Sequence, residues 1–172
     1  MKKCIFVFAL LLMLSGCGHQ QTLETVNDVP AEPVQAAMQQ MLVELPTDAV
    51  APVMETEDGK LYICGDAVIC LQTRPAGDLA KTVKNVCGFD LEQLDMLQTS
   101  WGNTRRYDFV WAAVEEAGEQ ACRACILDDG QYHYVLTAAA PAGQAGQLQD
   151  TWRQMFNSFR LVNPEMPLGT GS

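Results

Sequence analysis

The sequence predicts an α+β domain, an antiparallel β-sheet meander with helices packed on it, preceded by a signal peptide and a flexible tether. Three features predict this class. Apolar residues alternate with polar ones through the middle of the chain, and short turn sequences separate these runs, which is typical of strands joined by hairpins. Near the C-terminus, one apolar stripe recurs at helical spacing, which is typical of a helix packed on a sheet.

Length and composition agree with one domain flanked by tails. The chain has 172 residues, of which 48% are hydrophobic, and this argues against a disordered chain. It carries 11 basic and 21 acidic residues, so its formal net charge is −10. Nucleic acid is excluded as a partner, because that charge repels a phosphate backbone and no basic stripe with interleaved aromatic residues occurs.

The predicted strands are arranged around turn residues. A first strand contains Met41, Val43 and Leu45 and ends at Pro46. Three hairpins follow: residues 61–64 and 67–73 around Gly65-Asp66, residues 96–101 and 104–114 around Gly102-Asn103, and residues 120–127 and 131–139 around a three-residue loop, Asp128-Asp129-Gly130. Glycine favours each turn because it tolerates a positive φ.

The helices are predicted from caps and periodicity. Asp78 can cap a helix that Gly88 ends, and Asp90 with Gln93 has the spacing of a capping box before a further helical turn. One apolar stripe at i, i+4, i+7, i+8 and i+11 consists of Leu148, Trp152, Met155, Phe156 and Phe159. This stripe predicts an amphipathic C-terminal helix.

The N-terminal residues have the features of a secretory signal peptide. Lys2 and Lys3 precede an apolar run over residues 5–14, which as a helix would span only ~15 Å, about half of the ~30 Å hydrocarbon core of a bilayer. The next step, Leu14-Ser15-Gly16-Cys17, resembles the lipobox of bacterial lipoproteins, in which an aliphatic residue, a small residue and Gly or Ala precede Cys. That resemblance implies cleavage before Cys17 and a thioether-linked diacylglycerol on its sulfur.

The predicted organisation therefore has four parts. Residues 1–16 are the lipoprotein signal peptide, and residues 17–40 are a lipid-anchored tether, because that stretch is polar and has little periodicity. Residues 41–162 are the α+β domain, and residues 163–172 are a disordered tail rich in proline and glycine. Two acyl chains on Cys17 would give a stable anchor, so the expected location is the extracytoplasmic face of the cell membrane.

The order of elements and the closing strand and helix resemble the PsbP-like fold. The closing segments read YHYVLTAAAP at residues 132–141 and WRQMFNSFRL at residues 152–161. The resemblance implies an α/β/α sandwich, which photosystem II extrinsic subunits and a nuclear-import factor share, and it is closest to uncharacterised small lipoproteins of anaerobic Gram-positive bacteria. It implies no functional residue, because proteins of this fold share no single activity.

Five cysteines fall within the predicted domain, namely Cys64, Cys70, Cys87, Cys122 and Cys125. Cys122 and Cys125 form a CxxC sequence within a predicted strand, where residues three apart face opposite sides and lie about 10 Å apart, too far for a disulfide. Across their predicted hairpin Cys64 stands opposite Ala67 and Cys70 opposite Leu61, so we expect no disulfide between these two cysteines. Pairing with a neighbouring strand or with Cys87 stays open, and so does the interpretation that all five are buried small apolar residues.

One alternative makes the thiols functional. With a three-residue loop between the last two strands, Cys125 stands opposite His133 on the same face. A thiol beside an imidazole can act as a nucleophile or bind a soft metal. The chain would then be a thiol-dependent redox or metal-binding module that uses Cys122 or Cys125 with His133.

Aromatic and basic residues near the hairpins also leave two interpretations each. Tyr107, Phe109 and Trp111 alternate on one strand face, either as core beneath a helix or, on an uncovered face, as a platform for a partner. Arg105 and Arg106 either bind an anionic ligand or form a solvated turn. Because adjacent strand residues face opposite sides, these two guanidinium groups do not form one fork.

The leading functional prediction is a non-enzymatic, membrane-anchored binding or accessory module without a metal or cofactor. It follows from the predicted location and from the sequence, which contains no nucleophile elbow, P-loop, dinucleotide-binding fingerprint or paired-carboxylate motif. The expected partners are the membrane, through the lipid on Cys17, and a surface protein or a small ligand.

Substitution Cys17→Ala tests the predicted anchor. We expect the variant to appear in the medium and to lose labelling by a radioactive or clickable fatty acid, because no other residue carries the acyl chains. Continued labelling of the Cys17→Ala chain would show that the anchor has been assigned to the wrong residue.

Overall fold

Antiparallel strands dominate the structure, a computed structural model that describes residues 38–116 and 118–162. In chain order the strands are β1 (Gln40–Leu42), β2 (Met54–Thr56), β3 (Gly59–Cys64), β4 (Ala67–Pro75), β5 (Met96–Trp101), β6 (Thr104–Glu115), β7 (Gly118–Asp128), β8 (Tyr132–Pro141) and β9 (Arg160–Val162). Seven of them form one sheet in the order β2-β3-β4-β8-β7-β6-β5, and β1 pairs with β9 in a second, two-stranded sheet. The predicted signal peptide, Cys17, most of the predicted tether and the tail at 163–172 lie outside the described residues.

Within the described residues two α-helices accompany the strands, α1 (Leu79–Cys87) and α2 (Ala145–Ser158). The predicted caps of α1 are confirmed: the Asp78 carboxylate accepts a hydrogen bond from the backbone N–H of Ala80, and Gly88 ends the helix in the left-handed region at φ 82°. The capping box of Asp90 and Gln93 is also confirmed, at a short 3₁₀ helix. No helix among the described residues is both long and apolar enough to cross a bilayer.

The helices lie on opposite faces of the large sheet, which we call the α1 face and the α2 face. On the α2 face the apolar side of the helix, with Trp152, Met155 and Phe156, packs on residues of the central strands, namely Tyr62, Ile69, Leu71, Cys125, Tyr134 and Leu136. On the α1 face Val83 packs on Tyr107, Phe109, Ala124, Ile126 and Val135. This arrangement confirms the predicted α+β class and places Tyr107 and Phe109 in the core.

The two predicted hairpins β3–β4 and β5–β6 are confirmed in register. Cys64 pairs with Ala67 and Cys70 with Leu61, as the turn at Gly65-Asp66 requires, and Trp101 pairs with Thr104. Each turn glycine has a φ of 59°, which residues with a side chain rarely adopt.

The short strands at the ends of the domain differ from the prediction. Strand β1 ends at Leu42, and Val43 and Leu45 pack on the α2-face core beyond it. Strands β2 and β9 were not predicted, because three residues are too few to show a period. The contacts of the domain also begin before residue 41, since the Gln39 backbone N–H donates to the Tyr134 hydroxyl at 2.9 Å.

The predicted pairing of β7 with β8 is wrong, because the observed register differs from it by three residues. Asp128 pairs with His133 and Cys125 with Leu136, so Cys125 does not stand opposite His133. The reason is that the two aspartates bind the turn themselves: Asp128 accepts the Gly130 N–H at 2.8 Å, and Asp129 accepts the N–H groups of residues 131 and 132 at 2.9 Å and 2.7 Å. Strand β7 therefore continues through Asp128.

A chain of buried polar contacts fixes α1 to the turn of this hairpin. His133 Nδ1 shares a hydrogen bond with the Thr82 hydroxyl at 2.8 Å, and its Nε2 lies 3.9 Å from the Asp128 carboxylate. That carboxylate also binds Arg105 of β6 at 2.7 Å. His133 is 1% exposed and Thr82 7%, so this group is part of the packing rather than an open site.

Substitution Phe156→Ala should reduce the free energy of unfolding by about 3–5 kcal/mol, because it empties a fully buried aromatic site. Denaturant titration measures the change. The neighbouring exposed residue gives the matched control, and Asn157→Ala should change the free energy of unfolding by less than about 0.5 kcal/mol. Equal effects of the two substitutions would contradict the described packing of α2.

The stability of the domain should fall as the pH is lowered through about 6.5, the ordinary pKa of histidine. Burial lowers the pKa of His133, an effect that Asp128 opposes and Arg105 strengthens. Below the ordinary pKa the unfolded chain therefore binds a proton that the folded chain does not, which favours unfolding.

Denaturant titrations of the full chain at several pH values check this expectation. Substitution His133→Gln should flatten the change between about pH 7 and pH 5. The other histidine, His19, provides the control, and His19→Gln should leave the profile unchanged. An identical profile for the wild type and His133→Gln would sink the assignment.

Candidate functional site

A charged cluster joins the C-terminal end of α2 to the sheet. Arg106 binds Asp108 through two hydrogen bonds, from Nε at 2.6 Å and from Nη2 at 3.0 Å. The same guanidinium donates to the carbonyl oxygens of Phe156 at 2.8 Å and Phe159 at 3.3 Å. These carbonyls end the helix without intrahelical partners, so Arg106 caps α2 and fixes its C-terminal end over β6.

Arg123 of β7 completes this cluster. Its guanidinium lies over the ring of Phe156, 4.3 Å from the centroid, and its Nη2 is 3.5 Å from Asp108. Two cations thus share one carboxylate. The side chain of Arg123 is still 26% exposed, so one edge of the cluster faces the space beside α2.

That space is an open groove between α2 and strands β6 and β7, which we call the α2 groove. Its volume is about 640 Å³, the largest of the three cavities described. Its floor includes Val110, Ala112, Ala121 and Arg123, and its helix wall includes Ala145, Gly146, Gln149 and Trp152. The groove exists because small residues occupy the first turn of α2 and the facing strands, so that no large side chain fills the space between them.

The floor of the groove continues along β6 as exposed apolar surface. Val110, Ala112 and Val114 lie on the α2 face, opposite Arg123, Ala121 and Glu119 of β7. Val110 is 64% exposed and Val114 87%. Exposed apolar side chains are ordinary when single, whereas a contiguous row beside a groove indicates a binding surface.

Sequence reasoning missed this groove, although one signal for it exists. Residues 109–114 read FVWAAV, an unbroken apolar run in a strand next to the sheet edge. Such a run makes both faces of the strand apolar. On the α1 face Phe109 is buried and the other residues of the run are half-buried, whereas the α2-face residues of the run are exposed. This difference depends on where the helices pack on the sheet, which the run itself does not show.

The predicted thiol site is not assembled. Cys122 lies on the α1 face, opposite Trp111 and Ala139, whereas Cys125 lies on the α2 face in the core beneath α2. His133 is also on the α1 face, but it lies six residues along β8 from Ala139, the residue that pairs with Cys122. At the rise of a β-strand this separation is roughly 20 Å. The pairing of Cys125 with His133 is therefore wrong, and the opposite orientation of Cys122 and Cys125 is confirmed.

The electrostatics of the cysteines also oppose thiol chemistry. Burial raises the pKa of Cys70 and of Cys122 to about 11, and it raises the pKa of Cys125 further above the ordinary range. Thiols of this kind stay protonated near neutral pH and are poor nucleophiles. The described part of the chain contains five free cysteines and no group of three side chains placed to bind a metal ion.

The two adjacent arginines have separate structural partners. Arg105 faces the α1 side and binds Asp128, and Arg106 faces the α2 side and binds Asp108. Their opposite orientation was predicted from the strand geometry. Neither guanidinium is left to bind a free anion as a fork, because each is paired with a carboxylate.

Comparison with known proteins supports the fold. No family model matches the sequence, and no curated protein matches it. Among solved structures, cyanobacterial PsbP (CyanoP) from Synechocystis has 9% identity and a TM-score of 0.51, over 80% of this chain and 99% of that chain.

Two other solved structures are similar at about the same level. A protein from Bacteroides thetaiotaomicron has 10% identity and a TM-score of 0.50, over 73% of this chain and 46% of the other. LpqN of Mycobacterium tuberculosis, described as involved in cell envelope biogenesis, has 10% identity and a TM-score of 0.49, over 73% and 84%. At these identities the likeness concerns the fold alone. The chain has a PsbP-like α+β fold.

Proposed function

We propose that the protein is a non-enzymatic accessory module, anchored by lipid on Cys17 at the extracytoplasmic face of the membrane, which binds an apolar segment of a partner protein in the α2 groove. The observation that carries the binding role is the row of exposed apolar residues that forms the groove floor and continues to Val114. The anchor rests on the lipobox-like residues 14–17.

The shape of the groove favours a polypeptide segment over an enclosed small molecule. Sites for small ligands bury most of the ligand surface, whereas this groove is open along one side and its floor extends past the end of the cavity. From Val110 to Val114 the floor is about 13 Å long, at the rise of a β-strand. A segment of four or five residues matches that length.

The charges at the two ends of the floor favour one direction of the bound segment. Arg123 stands opposite Val110, and Glu119 stands opposite Val114. Opposite charges across an interface add specificity and fix the register of a partner. We therefore expect an apolar segment with an acidic group at the Arg123 end and a basic group at the Glu119 end.

A photo-reactive amino acid at Ala112 tests the groove in intact cells that make the protein. Ala112 is exposed on the groove floor, and Lys81, exposed on α1 beyond the other sheet face, is the control position. We expect a protein adduct from position 112 and not from position 81. In the same chain, Val110→Glu should reduce the adduct about tenfold, because an unpaired charge in an apolar contact costs more than about 1.4 kcal/mol.

The matched charge control is Asn85→Glu, exposed on α1, which should leave the adduct unchanged. Equal adducts from positions 112 and 81, or an adduct that survives Val110→Glu, would contradict binding in the groove. An adduct with the mass of a small molecule would show that the groove binds a small ligand and would overturn the proposed protein partner. Absence of any adduct at position 112 would also count against the proposal.

A further inference from the structure

Strand β5 is an unprotected edge of the large sheet. It is the last strand in the order, so one side of its backbone has no partner strand among residues 38–116 and 118–162. Its six residues, MLQTSW, carry no charge and include no proline, and five of the six are exposed. Natural proteins usually protect such an edge with charges, prolines or a covering element, because an open edge pairs with other strands.

Three of the five exposed side chains of β5 lie on the α2 face, and the outer two of these three are large and apolar. Trp101 is 92% exposed and Leu97 is 64% exposed. Thr99 lies between them on the same face, since these residues pair with Thr104, Asp108 and Arg106 of β6. An aromatic side chain that is almost fully exposed makes few apolar contacts within its own chain, and a partner strand could supply them.

We propose that β5 pairs with β5 of a second copy of this chain, antiparallel, about a two-fold axis that passes between the two Thr99 residues. In this register Leu97 of each copy stands opposite Trp101 of the other, so two aliphatic–aromatic pairs form on one face. An axis at Gln98 would instead place Trp101 opposite Asp95. The apolar pairs therefore select the register centred on Thr99.

Self-pairing fits this strand because it has no charge that repels its own copy. A symmetric interface needs one self-complementary surface, and the positions of Leu97 and Trp101 on either side of Thr99 meet that requirement. The net charge of −10 on each chain opposes association, but at physiological salt it is screened over about 8 Å. The pairing should therefore strengthen as salt is added.

The symmetry also suits two copies on one membrane. A two-fold axis perpendicular to the sheet places the α2 faces of both copies on the same side. Met41, Val43 and Leu45 pack on that face, so these residues of both copies lie on the same side of the pair. This point rests on the proposed lipid anchor, whereas the strand pairing itself does not.

Disulfide trapping of the Thr99→Cys chain tests the two-fold axis. Residues directly opposite in an antiparallel pair have Cα atoms about 4.5–5.5 Å apart, within the range of a disulfide. We expect the purified full-length chain in detergent to form a covalent dimer under mild oxidation about tenfold faster than the control, because the thiols are held together. The control is Val114→Cys, which lies on the same face and is also exposed, and the unsubstituted chain reports the native cysteines.

A second substitution tests the register. Leu97→Glu in the Thr99→Cys chain should slow the trapping to the control rate, because it places a carboxylate against Trp101 of the other copy. Val114→Glu in the same background should not slow it. Both residues are exposed, so neither substitution should unfold the domain, which circular dichroism can verify.

Equal rates for Thr99→Cys and Val114→Cys would overturn the proposed dimer, and so would trapping that Leu97→Glu leaves unchanged. Neither result would affect the adduct expected from Ala112 in the α2 groove, because that position lies on β6 and not on the edge strand. The two proposals therefore fail separately.

Discussion

The attachment of Arg106 to the end of α2 is the contact on which the arrangement of the α2 face depends. Its guanidinium binds the Asp108 carboxylate and two carbonyl oxygens at the helix end, and charge-assisted hydrogen bonds of this kind contribute about 1.5–3 kcal/mol each when partly buried. The helix is thereby fixed over β6 at one end. At its other end Ala145 and Gly146 face small residues across the α2 groove.

Uneven covering of the sheet explains where the exposed apolar surface lies. The helices cover the central strands from both sides, so the apolar residues of β4, β7 and β8 are buried. Toward the edge of the sheet that β5 forms, β6 is covered on its α1 face only, and β5 presents most of its residues to solvent. Both proposals use this region, the groove floor for a partner segment and the strand edge for a second copy.

The reactive side chains of Cys125 and His133 contribute to the packing of the domain. Cys125 lies beneath α2, and burial raises its pKa, while His133 connects α1 with the β7–β8 turn through Thr82 and Asp128. A buried polar group without a partner would cost about 1–3 kcal/mol, and every buried side-chain nitrogen and oxygen among the described residues has one. Residue types alone therefore did not distinguish a catalytic group from a structural one.

The sequence alone determined the hairpins at Gly65-Asp66 and Gly102-Asn103, both helices and the caps of α1, because neighbouring residues supply the turn conformations, the capping bonds and the apolar periodicity. It did not determine the β7–β8 register, since Asp128 and Asp129 could either form the loop or bind its backbone. Only the tertiary structure paired β1 with β9 and placed the C-terminal end of α2 against Arg106 of β6. It also decided that Val110, Leu97 and Trp101 are exposed. Those outcomes depend on which distant residues meet, and residues 50 or more apart carry no local pattern that records their contact.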